Sequence, residues 1–131
     1  MAYSPAGMRY NGELFATPDI VKDSLMVLNV IVGEQPTQID VPEFLLSDAI
    51  ELFNNMDIDM DKGWQMSRIW VDELTDIQRC QVVADRLLTA MESENENMKL
   101  MMAGYILYKM PEIKNIFIDS EGDMTATEIE V

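Results

Sequence analysis

The chain has 131 residues, with 24 Asp+Glu against 9 Lys+Arg and no histidine, for a formal net charge of −15; 48% apolar and 25% charged residues give the composition of a globular chain that can bury a core. Without imidazole, Ser-His-Asp and Cys-His nucleophile systems and histidine-based metal motifs are excluded, and a lone Cys80 makes neither an intrachain disulfide nor a cysteine zinc site, in keeping with a reducing, cytoplasmic setting. So few cations among so many carboxylates argue against direct contact with nucleic acid or an anionic membrane, whereas a protein partner, or a second copy of the chain, stays open.

At the amino end, Met1 to Phe15 lacks the basic stretch and apolar run of a secretory signal. Asn11-Gly12, set between Arg9-Tyr10 and Leu14-Phe15, is the dipeptide of a two-residue hairpin turn. Thr17-Pro18-Asp19 offers an N-cap, a first-turn proline and an acid, so a brief helix is expected from Pro18 to Ser24. Leu25 to Val32 grows β-branched toward its end and meets Gly33-Glu34-Gln35-Pro36, with Thr37 to Val41 beyond, which reads as strand, turn, strand. The rival is one helix from Pro18 to Val32, because periodicity alone does not separate a short buried strand from a buried helix.

From Pro42 the spacing turns helical. Leu45, Ala49, Leu52 and Met56 recur at three- and four-residue intervals, predicting a helix that ends near Asn55. A second helix is expected from Trp64 to about Glu73, preceded by the acids Asp57, Asp59 and Asp61. Thr75 and Gln78 form a capping-box pattern for a third, with Ile77, Cys80, Ala84, Leu87, Leu88 and Met91 along one face. A polar break from Glu92 to Asn97 precedes a fourth, Met98 to Lys109, stopped by Pro111. Ile113 to Ile118 is expected to return as a strand to the N-terminal sheet, and the acidic stretch Ser120 to Val131 to remain a solvated tail. The apolar runs Leu25–Val32 and Leu100–Tyr108 fall far short of the roughly 20 residues that span a bilayer. The expectation is an α+β fold in one domain, residues 1–131: a β-rich part over 1–41, about four packed helices over 42–111, and a strand plus acidic tail over 112–131.

Three features could carry chemistry. Asp57, Asp59 and Asp61 have the spacing of a calcium loop, but the sixth and twelfth positions are Lys62 and Arg68 where such a loop needs glycine and a bidentate glutamate. They form a weak metal candidate, and their ordinary reading is as acids near the amino end of the second helix. Asp23-Ser24-Leu25 resembles the attachment tripeptide of acyl carrier proteins, where the serine bears phosphopantetheine; the resemblance covers three residues and lacks the family's preceding helix, so no cofactor is assigned. Trp64, Arg68 and Trp70 form the third group: on a helix Arg68 would stack on Trp64 and pair with Asp72.

Trp and Arg anchor interfaces, and methionine makes adaptable binding surfaces as well as cores. Twelve methionines, among them Met98, Met101 and Met102 on the fourth helix, make Trp64, Arg68, Trp70, Met98, Met101 and Met102 the candidate interface. The expected role is a non-catalytic interaction or assembly protein that docks a partner or forms a homo-oligomer. The alternatives are a DNA mimic that inhibits a nucleic-acid-binding protein through an acidic array, and a divalent-cation-dependent carboxylate enzyme centred on Asp57, Asp59 and Asp61.

Overall fold

The computed structural model describes residues 25–131. The Asn11-Gly12 hairpin, the Pro18–Ser24 helix and the Asp23-Ser24-Leu25 serine lie outside the described residues. The first described element is a strand, β1 (Leu25–Val32), antiparallel to β2 (Gln35–Pro42). Its inner face is set by alternation: Leu28 and Val30 are fully buried, Leu28 opposite Ile39, and Val41 is buried opposite Met26, while Leu25 and Val27 stay exposed. Gly33 closes the hairpin with φ +63°, the positive value a type II′ turn requires at its first central residue. The helix rival for this stretch is thereby overturned; Val27, Val30, Ile31 and Val32 stack well on a pleated surface and crowd a helix.

The helical expectation after Pro42 holds with two changes. One helix to Asn55 becomes two, α1 (Glu43–Asp48) and α2 (Ile50–Asp61), divided at Ala49 just after Ser47-Asp48, whose short polar side chains disfavour helix interiors. The acids Asp57, Asp59 and Asp61, expected near the amino end of the next helix, belong to the last two turns of α2. That helix stops at Gly63, which takes φ +93° and donates its N–H to the Met60 carbonyl at 3.1 Å.

The predicted second helix, Trp64 to Glu73, is a β-hairpin instead. Strand β3 (Trp64–Met66) pairs with β4 (Ile69–Val71) around Ser67-Arg68. Two physical signals outweighed the helical spacing. Trp64, Ile69, Trp70 and Val71 are strand formers, and Gly63 breaks the chain where a helix would have to continue.

Helices α3 (Asp76–Glu92) and α4 (Glu96–Lys109) form an antiparallel pair. The Thr75–Gln78 capping box is present in both directions, at 3.1 Å and 2.9 Å. α3 ends in a Schellman arrangement: the Asn95 N–H reaches the Ala90 carbonyl at 2.9 Å and the Glu94 N–H reaches the Met91 carbonyl at 3.3 Å. Asn95 then caps α4, its side chain accepting from the Met98 N–H, so that helix starts two residues before Met98. Gly104 lets α4 come close to its neighbours: a Cβ there would sit 3.3 Å from Phe53 Cζ.

The chain returns through β5 (Asn115–Ile118), parallel to β1, with Ile116 and Ile118 inward. The long crossover from β1 to β5 carries the helices that cover the inner face of the sheet. The acidic C-terminal stretch is not a solvated tail. A 3₁₀ turn (Met124–Ala126) leads to β6 (Glu128–Glu130), antiparallel to β5, and completes the order β2-β1-β5-β6. Thr127 is buried, its carbonyl accepting from Gln81 Nε2 at 2.9 Å, and Ile129 turns inward between the two glutamates. The fold is α+β, and no described helix is long and apolar enough to cross a membrane.

Candidate functional site: a methionine-lined groove

On α4, Met98, Met101 and Met102 lie at spacing i, i+3, i+4 and therefore on one face. That face meets Leu52 and Met56 of α2, and together they line an open groove of about 450 Å³. Met98 is 43% exposed and Leu52 40%; Met101 is half-buried, and Met102 is buried at the floor. The groove continues past Arg86 and Asn95 into a second depression of about 280 Å³ over Thr89 and Ala90 of α3 and Ser93, which caps it. Among the described residues no aspartate or glutamate lines either part.

Arg86 marks the polar side of this groove. Its guanidinium stands 5.2 Å from the centroid of the half-buried Trp64 ring, the distance of a cation–π contact. Trp64 thus does find an arginine, but on α3 across the fold. The Trp64–Arg68 stack and the Arg68–Asp72 pair expected of a helix do not form in the hairpin.

Arg68 and Trp70 lie apart from the groove. Arg68 sits exposed in the β3–β4 turn, next to Ser67, whose φ is +56° and whose hydroxyl donates to Asp123 Oδ1 at 2.7 Å. Trp70 is 55% exposed; its Nε1–H donates to Asp72 Oδ1 at 2.8 Å, and its ring lies against Gly63, where a Cβ would fall 2.5 Å from Cζ2. Of the six candidate interface residues, the fold gathers the three methionines, places Trp64 behind Arg86, and holds Arg68 and Trp70 on a separate hairpin.

Asp57, Asp59 and Asp61 lie at the carboxyl end of α2 rather than the amino end of a following helix. There the helix dipole disfavours them, and α2 has no base of its own in the last turn. Cations from α3 and α4 compensate. Arg79 donates through Nη1 to Asp57 Oδ1 at 3.1 Å and through Nη2 to Asp61, while Lys109 Nζ lies 2.8 Å from Asp57 Oδ2. The fully buried Tyr105 donates its hydroxyl to Asp57 Oδ1. Asp59 points elsewhere, 66% exposed and 3.8 Å from Lys62. Among the described residues no three carboxylate or thiol groups converge in a way that could hold a metal ion.

The electrostatics of the cluster follow from these contacts. Burial works to raise the Asp57 carboxyl, but the bonds from Lys109, Tyr105 and Arg79 outweigh it and hold it below the ordinary aspartate range. Burial and the adjacent Asp57 push the Tyr105 phenol up. Burial, helped by the charge of Asp76, pushes the Cys80 thiol up to about 12, so it stays protonated at neutral pH. Asp57 is accordingly a fixed charge that joins three helices.

Sequence reasoning missed Leu52 and Arg86 as groove residues. Leu52 was legible as part of the apolar stripe of its helix, and its exposure was not. Arg86 stands on the polar side of an amphipathic helix, and only the Schellman turn at Ser93–Asn95 brings it beside Met98. No protein family, curated protein or solved structure matches the chain.

Proposed function

We propose that the protein is a non-catalytic, cytoplasmic interaction or assembly protein that docks an apolar surface into the groove between α2 and α4. The observation that carries this reading is the groove itself: exposed Leu52 and Met98 over a methionine floor, free of lining carboxylates among the described residues, in a chain of net charge −15. Thioether side chains are flexible and polarisable, so such a floor adapts to the aliphatic anchors of a protein partner. The lone thiol supports a reducing compartment, since it has no disulfide partner in the sequence.

Sedimentation velocity at micromolar concentration, on the purified chain alone and with proteins that co-purify with it, tests the reading. A homomeric or heteromeric complex that Met98→Glu dissolves, with thermal unfolding unchanged, supports it. A strict monomer with no co-purifying protein, or a complex indifferent to Met98→Glu, refutes it.

A further inference from the structure

Resting on that reading, we infer that the occupant of the groove is an amphipathic helix that presents aliphatic anchors to the methionine floor and a carboxylate to Arg86. Shape comes first. The trough is open along its length, walled by helices, and its anchors on α4 recur at i, i+3 and i+4, the spacing that meshes with the ridges of another helix. An enclosed cavity would suit a small ligand; this trough suits a chain segment.

Charge then selects which segment. Arg86 borders both parts of the groove and, among the described residues, is the one charged residue lining them. Among the described residues no carboxylate comes within ion-pairing distance of it. Asp59 lines a small pocket with Arg86 and Trp64 but pairs with Lys62 at 3.8 Å, and Asp85, the residue before Arg86 on α3, feels its charge without forming an ion pair. Arg79 provides the contrast, about two turns away on the same helix, with its donors directed to Leu74, Asp57 and Asp61.

A guanidinium that is stacked on an indole has lost part of its rotamer freedom before any partner arrives, so less ordering remains to be done when a carboxylate binds. In a chain of net charge −15 a uniformly acidic ligand would be repelled at long range. The partner therefore carries its acid next to the apolar anchors and a basic or neutral face outward. A second copy of this chain fits less well, because two surfaces of that charge repel each other.

The test uses the full chain and a displayed library of helix-forming peptides about 16 residues long, roughly 24 Å of helix. Anchor and flanking positions are randomised, and sodium dodecanoate is run in parallel as a small anionic amphiphile. Enriched peptides are expected to share aliphatic residues at i, i+3 or i+4 and one Asp or Glu. Replacing that acid by Lys is expected to weaken binding about tenfold or more for the wild type and to strengthen it for Arg86→Glu. Met98→Glu, on an exposed first-turn position, is expected to abolish binding of every enriched peptide. Peptides that lose binding in Met98→Glu but ignore both the acid and Arg86→Glu would overturn the charge selection and leave the groove standing. Peptides indifferent to Met98→Glu, dodecanoate binding with no peptide enriched, or a dimer that forms through the groove would overturn the assignment of this occupant.

Discussion

Replacing Asp57 by alanine removes the one carboxylate that α2, α3 and α4 share. Its side chain and those of Arg79 and Lys109 are only 14–20% exposed, so the loss leaves two largely buried cations and the Tyr105 hydroxyl without their common acceptor. Breaking one partner out of a fully buried ion pair costs about 3–5 kcal/mol. Here Arg79 keeps Asp61 and the Leu74 carbonyl, and water reaches part of the site, so the expected cost is about 2–4 kcal/mol. For a chain of this size that lowers Tm by roughly 6–16 °C, measured by circular dichroism at neutral pH. Asp59→Ala is the control, since an exposed carboxylate 3.8 Å from Lys62 contributes under about 0.5 kcal/mol. The pH dependence follows from the direction of the shift. The folded carboxyl lies below its unfolded value of 3.8, so its stabilisation is complete above that pH and is lost as pH falls through the folded value. The gap between wild type and Asp57→Ala is therefore steady from neutrality down to about pH 5 and narrows below about pH 4. Equal Tm changes for Asp57→Ala and Asp59→Ala, or a gap that widens in acid, would refute the reasoning.

Further predictions address the turns and the thiol. Glu94 holds φ +57° at the position after the α3 cap where glycine is preferred, so Glu94→Gly is expected to stabilise the fold by about 1 kcal/mol in urea unfolding. Gly63→Ala meets both a φ of +93° and the Trp70 ring at 2.5 Å from the new Cβ, and a loss of roughly 2–4 kcal/mol is expected by the same assay. Native Cys80, buried and with its thiol raised to about 12, is expected to resist iodoacetamide at pH 8 and to react within minutes once urea unfolds the chain.

What could be read from the sequence was local and strongly signalled. The Thr75–Gln78 box, the proline stop after Lys109 and the β-branched run before Gly33 each rest on contacts within a few residues, and each element formed as expected. The stretch from Asp57 to Val71 was misread because its residues satisfy two periods. Trp64, Ile69, Trp70 and Val71 can be spaced along a helix, yet Gly63 and the Ser67-Arg68 turn give a hairpin in which Met66 alone is buried deeply. The C-terminal strand was invisible to composition: Glu128 and Glu130 face outward, and the single inward Ile129 is too little to show alternation. Exposure of Leu52 and Met98 depends on how far apart α2 and α4 settle. That separation is set by long-range packing at Gly104 and Phe53, which no short window contains.

The groove's own methionines offer the most direct readout of the central claim. With ¹³C-methyl-labelled methionine in the full chain, titration with a selected helical peptide that carries one acid beside its aliphatic anchors is expected to shift the methyl signals of Met56, Met98, Met101 and Met102, while Met26, Met66 and Met124 stay in place. Shifts concentrated on the sheet or the β3–β4 hairpin, with the α4 methionines unmoved, would contradict the account.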